Sequence, residues 1–244
     1  MRTLIISDIH ANLTAFHAVL QHAEAFDRVW CLGDVVGYGP DPNGCIEKLK
    51  SLPDLKCVRG NHDAAILGEI DIKAFNDEAR KSLEWLESRL TSRNRRWLEA
   101  LPERIEVDGI TLAHGSPRNP VWEYVMELGI AQRNMDAFDT RICLVGHTHI
   151  PSFFTMNGGT PETTQLHIAQ PDDPFIVERK SIMNPGSVGQ PRDHNPNASY
   201  LIYDDDQEKP WVYHRAAYDV EEVQKRIIAA GLPHRHATRL EVGW

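Results

Sequence analysis

Ile142-Cys143-Leu144-Val145-Gly146-His147-Thr148-His149 is an apolar run followed at once by a turn carrying two imidazoles. Four consecutive apolar residues read as a strand buried on both faces. Residues i and i+2 leaving a strand project to one side, and neutral histidine is the commonest protein metal ligand. The pair therefore proposes a metal site. Taken alone, the same four-residue turn also suits an ordinary hydrogen-bonded surface loop, so the rest of the chain must decide.

Working outward, the same design recurs. Thr3-Leu4-Ile5-Ile6 reads as a buried strand ending at Ser7-Asp8-Ile9-His10, and Asn12 is placed to cap a helix with apolar positions Leu13, Phe16, Val19, Leu20 and Ala23. Val29-Trp30-Cys31-Leu32 ends in Gly33-Asp34 and a Gly/Pro-rich loop over 35–42, followed by a predicted helix over 43–52. Leu55-Lys56-Cys57-Val58 ends in Arg59-Gly60-Asn61-His62-Asp63. In an open parallel α/β sheet the C-terminal strand edge is where ligands bind. Asp108-Gly109 is the strongest hairpin signal in the chain, joining strands over Arg104–Val107 and Ile110–Ala113, the second of which ends in His114.

Between these parts, residues 73–101 predict a helical insertion beside the site mouth. Leu83, Leu86 and Leu90 share one helical face, and Ser92 is placed to cap a second helix with Trp97, Leu98 and Leu101. Ordinary sheet-covering helices are the other reading of that stretch. A helical segment containing Trp122, Val125, Met126 and Ile130 is expected before the strand at 141–145. Beyond His149 the pattern is β-rich, with strands expected at Ser152–Met156, Thr164–Ile168, 175–177, 198–203 and Trp211–Ala216, and a loop over 184–192. A final helix over 220–230 stops at Gly231, leaving a tail with His234 and His236 expected to be mobile.

A chain of 244 residues is long enough for one sizeable α/β domain. The net charge of −9 argues against nucleic acid as a partner, since such a protein needs a basic face. It does not exclude phosphate chemistry, because a bound cation sets the local field. Cys31, Cys45, Cys57 and Cys143 lack C-x-x-C spacing and read as small buried apolar residues of a reducing compartment. Met1 runs straight into a strand-like segment with no leader pattern, and no run approaches a membrane span, so a soluble cytoplasmic protein is expected.

Five strand-like runs thus end in polar sets: Asp8 with His10, Asp34, Asn61 with His62 and Asp63, His114, and His147 with His149. Each alone has a structural reading as a cap, a turn residue or a satisfied core histidine; their ordered recurrence does not. The series D-x-H, G-D, G-N-H-D, H-G and G-H-T-H resembles the calcineurin-like metallophosphoesterases, over the stretch from Asp8 to His149. The loops at 33–42 and 184–192 further resemble a branch of small bacterial and archaeal phosphoesterases.

That resemblance implies an α/β fold, a two-sheet β-sandwich of mixed sheets flanked by helices. It implies that Asp8, His10, Asp34 and His149 hold one metal and that Asp34, Asn61, His114 and His147 hold a second, with Asp34 bridging. An all-oxygen-and-nitrogen donor set suits Mn²⁺, Fe, Zn²⁺, Co²⁺ or Ni²⁺ without choosing among them; Mn²⁺ is the first expectation, and the lack of cysteine ligands disfavours structural zinc. Two divalent ions against two carboxylates leave a net positive charge for a phosphate, and such a pair, about 3.5–4 Å apart, generates hydroxide for in-line attack. The resemblance reserves His62 for catalysis, as general acid or as donor to the leaving-group oxygen, with Asp63 orienting it or helping to protonate it.

Where protein Ser/Thr phosphatases carry Asp-Arg-Gly, this chain has Gly37-Tyr38-Gly39, without the supporting carboxylate or the phosphate-gripping arginine. A phosphoprotein substrate is accordingly disfavoured. Asn12, Tyr38, Arg192 and Arg118 are the candidate substrate contacts. His17, His22, His167, His194, His214, His234 and His236 fall outside the motifs and read as surface or packing residues. The expected activity is hydrolysis of a small phosphodiester, with phosphomonoester hydrolysis as the near alternative and a nuclease disfavoured by charge. The rival from another class is a metal-binding interaction scaffold with a decayed site.

Overall fold

In the computed structural model, which describes residues 1–168 and 170–244, the chain opens with β1 (Arg2–Ile6), α1 (Leu13–His22), β2 (Arg28–Cys31), α2 (Pro42–Lys50), β3 (Leu55–Cys57) and α3 (Asn61–Ile66). Two further helices follow, α4 (Asp77–Glu87) and α5 (Ser92–Glu99), which pack on α3 and on α2 and α3 respectively. Next come the hairpin β4 (Arg104–Val107) and β5 (Ile110–Ala113), then α6 (Leu128–Met135), β6 (Ile142–Leu144), β7 (Ser152–Met156), β8 (Thr164–Ile168), β9 (Ser181–Asn184), β10 (Ala198–Asp204) and β11 (Trp211–Ala216). Helices α7 (Val220–Ala229) and α8 (His234–Val242) complete it. No helix among the described residues is long and apolar enough to cross a membrane.

Both sheets are mixed. One runs β11-β10-β1-β2-β3 and the other β4-β5-β6-β9-β7-β8. Within them β1, β2 and β3 are parallel, as are β5, β6 and β9. The result is the two-sheet sandwich flanked by helices that the motifs implied. Alternation explains the layers: in β1, Leu4 and Ile6 face the cluster built with α1, α2, α4 and α5, while Ile5 faces Trp30, Leu112, Leu144 and Met183 between the sheets. Such side chains contribute about 1.5–3 kcal/mol each by burial. A third cluster joins α6 to the outer face of the second sheet. Because the parallel strands of each sheet run the same way, their C-terminal ends collect along one edge of the sandwich.

Four local readings differ from the sequence expectation. The segment with Trp122 and Val125 is not helical, and α6 begins only at Leu128; Asn119 takes up the Trp122 N–H (3.3 Å), and the Trp122 carbonyl faces His147 (3.2 Å) instead of a helical donor. β9 has no strand pattern of its own, since only Ile182 and Met183 are apolar, yet all four of its residues are buried between β6 and β7. Residues 175–177 form no strand: Pro174 lacks a donor, and Phe175 makes a single antiparallel bridge to Trp211. The tail expected to be mobile is α8, with His236 buried beside the Glu78 carbonyl at 3.1 Å.

Candidate metal centre

Each site residue sits where a strand ends and the backbone must turn at once. Asp8, His10, Asp34, His147 and His149 all take positive φ, between 47° and 67°, a conformation costing about 1–3 kcal/mol per non-glycine residue. Two motif glycines let the turns meet. A Cβ on Gly60 would collide with the Asp34 carboxylate, and one on Gly146 would press on Asp8 Oδ2 at 2.9 Å.

The two carboxylates divide their oxygens in the same way. Asp8 Oδ2 accepts from the His147 N–H (3.0 Å), and Asp34 Oδ1 accepts from the His62 N–H (2.9 Å). The remaining oxygens face the histidines. Asp8 Oδ1 lies 3.2 Å from His149 Nε2 and 3.7 Å from His10 Nε2, is fully buried and has no hydrogen-bond partner. Asp34 Oδ2 lies 3.6 Å from His10 Nε2 and 3.4 Å from His114 Nε2, so it stands between two groups of ligands.

Tautomers can be assigned from the backbone. His10 Nδ1 faces the Val36 carbonyl at 3.1 Å and His149 Nδ1 faces that of Gln190 at 2.5 Å, so each carries its proton there. Their Nε2 lone pairs then point at each other across 3.1 Å, with Asp8 Oδ1 alongside. Acceptors converging without a donor suit a cation. On the other side His114 Nδ1 donates to the Leu32 carbonyl (2.8 Å), which turns Nε2 toward Asn61 Oδ1 (3.0 Å) and His147 Nδ1 (3.2 Å). Burial opposes charge on His114, but the adjacent Asp34 outweighs it and lifts the imidazole to about 9, a further sign that this position favours positive charge. The potential ligand atoms of Asp8, His10 and His149 lie within 4.8 Å of one another, as do those of Asp34, His114 and His147. These donors fit metal cations.

His62 packs beside the cluster, its ring centroid 4.9 Å from that of His10 and 4.5 Å from that of Tyr38. Its Nδ1 is buried with no hydrogen-bond partner, and burial pushes the ring down to about 4 despite the Asp34 charge. Gly37, Tyr38 and Phe75 hold the ring by packing, in place of a carboxylate. Asp63 does not serve that purpose: its carboxylate accepts from the N–H groups of Val35 (3.1 Å), Val36 (3.2 Å) and Gly60 (3.1 Å), fixing the loop around Asp34.

The substrate candidates separate. Asn12 is consumed by structure, capping α1 at Ala15 N and donating to the Gly189 carbonyl. Arg118 is taken up by its pairing with Glu123. Tyr38 and Arg192 do reach the site, with Arg192 donating to Tyr38 Oη (3.4 Å) and Gln190 Oε1 (3.1 Å). Sequence reasoning missed Tyr124, which stacks on His147 at 3.7 Å, and the carbonyls of Leu32, Val36, Trp122 and Gln190 that orient the rings. A carbonyl leaves no trace in residue identity; Tyr124 carried none of the motif signals.

Residues 1–208 match the model of the calcineurin-like phosphoesterase superfamily domain. An uncharacterized protein of Methanocaldococcus jannaschii is 34% identical over 98% of this chain and 97% of its own. A crystal structure of a metallophosphoesterase from Sphaerobacter thermophilus superposes with a TM-score of 0.90 at 41% identity, covering 100% of this chain and 99% of that one. A symmetrical bis(5′-nucleosyl)-tetraphosphatase of Glaesserella parasuis is 26% identical over 66% of this chain, which spans 59% of that enzyme's length. With a family match across most of its length and the cation-seeking donor set at the shared strand edge, this chain belongs to the calcineurin-like phosphoesterase superfamily and is a phosphoric ester hydrolase.

Proposed function

We propose that the protein is a dinuclear-metal-dependent phosphodiesterase acting on small phosphate esters, with Mn²⁺ as the first candidate metal. The observation that carries this is Asp34 Oδ2, which faces His10 on one side and His114 on the other. Asp8, His10, Asp34 and His149 would hold one cation, and Asp34, Asn61, His114 and His147 the other. Two such ions, when bound, neutralise phosphate charge and activate water at neutral pH.

The chain's own residues do the rest. The His10 and His149 rings are fixed by carbonyls before any ligand arrives, so no reorganisation is needed. His62, held neutral by burial, donates a hydrogen bond from its ring N–H to the leaving oxygen as the P–O bond breaks, and that oxygen takes its proton from water. Arg192 and Tyr38 border the phosphate position. The relative that is a bis(5′-nucleosyl)-tetraphosphatase supports a phosphorus with two bridging oxygens as the target, as in a phosphodiester. The charge of −9 argues against nucleic acid as substrate. Four buried free cysteines suit the reducing, cytoplasmic compartment expected from sequence.

The test is a panel of aryl monoesters, aryl diesters, 2′,3′-cyclic nucleotides and dinucleoside polyphosphates presented to Mn²⁺-loaded protein. Diester-type substrates are expected to give the highest kcat/KM; a monoester leading the panel reverses the preference, and no turnover at all favours a scaffold. His62→Ala is expected to lower kcat by about a hundredfold or more with metal content intact. An unchanged kcat removes His62 from the chemistry.

A further inference from the structure

A cleft of about 630 Å³ opens beside the histidine cluster, lined by Tyr38, Tyr124 and Arg192 on the side of the cluster and by Arg235, Arg239 and Trp244 from the chain's end, with Asp77 and Glu78 also in its wall. The cluster side touches the proposed metal ligands: Tyr38 lies 4.5 Å from the His10 ring, and Tyr124 stacks on His147. The chain-end side comes from α8 and the residues after it, beyond the 1–208 region that matches the family. This end is anchored in place, since His194 N–H donates to the Gly243 carbonyl (2.8 Å) two residues from Arg192.

The charges in this cleft are unevenly matched. On its rim Glu78 lies 3.6 Å from Arg235, and Asp77 pairs with Arg80 at 3.0 Å. Arg192 and Arg239, by contrast, have no side-chain carboxylate within ion-pair distance among the described residues. Arg192 donates only to neutral oxygens and its Nε is buried with no partner, while Arg239 Nε donates to the Trp244 main-chain oxygen. Burial, and next the charge of Arg192, pushes the Arg239 guanidinium down to about 10, with Glu78 opposing more weakly. Planar guanidinium forks bind phosphoryl oxygens in pairs. Tyr124 and Trp244, 41% and 50% exposed, offer flanking aromatic faces.

We infer that this cleft binds a second phosphoryl group of the substrate, so that the substrates are esters or anhydrides whose leaving group is itself phosphorylated. The inference rests on the phosphodiesterase reading only for the position of the scissile phosphorus. Two measurements test it. With Mn²⁺-loaded protein, the ratio of kcat/KM for diadenosine tetraphosphate to that for bis(p-nitrophenyl) phosphate is expected to fall at least tenfold in R235Q/R239Q; a ratio within twofold of wild type overturns the inference. With metal-stripped wild-type protein, calorimetry is expected to show ADP binding at least tenfold more tightly than adenosine, with the difference shrinking as salt is raised. ADP binding no tighter than adenosine also overturns it. If the loaded enzyme turns over neither substrate, the phosphodiesterase reading fails and the calorimetry alone decides the cleft. The same calorimetry decides it if the double variant does not fold by circular dichroism.

Discussion

Asp8 spends one carboxylate oxygen on the His147 N–H and keeps the other unpaired among histidines, and Asp34 spends one on the His62 N–H and turns the other toward His10 and His114. In the proposed centre, structure and ligation are thus assigned to different atoms of one side chain. His149→Ala should first remove the metal shared with Asp8 and His10, and His147→Ala the one shared with Asn61 and His114; elemental analysis of each variant after dialysis reads the difference. Equal losses in both variants would leave that division unsupported. Asp63 shows how far motif reading reaches. Its place in G-N-H-D was legible, but adjacency to His62 says nothing of where a neighbouring side chain points, and this one points at three backbone N–H groups. Asp63→Ala strands those buried donors and should cost about 3 kcal/mol or more in urea unfolding. A loss under about 1 kcal/mol would mean water replaces the carboxylate.

At the scale of elements, the strands that end in motif residues were legible because a short apolar run followed by polar turn residues is a local pattern. β9 was not, since its burial comes from the partners on either side and not from its own composition. Its register nevertheless places the loop that carries Gln190 and Arg192. The non-helical segment before α6 depends on tertiary partners as well. Glu123 accepts from Ser116 (2.7 Å) and Asn134 (2.8 Å) and pairs with Arg118, holding Trp122 and Tyr124 against His147. Burial raises the Glu123 carboxyl, but these hydrogen bonds outweigh it and bring it to about 2, below its ordinary 4.5. A depressed carboxyl contributes stability that is complete above about pH 4.5 and is lost as pH falls toward 2. Glu123→Gln should therefore flatten the acid limb of the stability curve over that window, measured by thermal melts from pH 5 to 2. An unaltered limb would show that the segment is held by other contacts.

For the whole molecule, two sheets of separate strand order supply opposite halves of one centre: Asp8, His10, Asp34 and Asn61 from the first sheet's edge, His114, His147 and His149 from the second's. Five of these seven residues sit at positive φ, so the edge is assembled against local backbone preference. A cation binding only the folded state offsets that cost by about 2.7 kcal/mol at a hundredfold excess over Kd. Mn²⁺ should accordingly raise the melting temperature, and a melting temperature independent of Mn²⁺ would contradict binding at this edge. The sandwich itself was legible through the family resemblance of the motifs; the contribution of α8 to the site was not, because no motif marks it. The central claim, a centre for two cations sharing Asp34, is tested most directly by the Mn²⁺-to-protein ratio of the loaded chain at pH 7.5. The account predicts two ions per chain. One ion or none at pH 7.5 would contradict it.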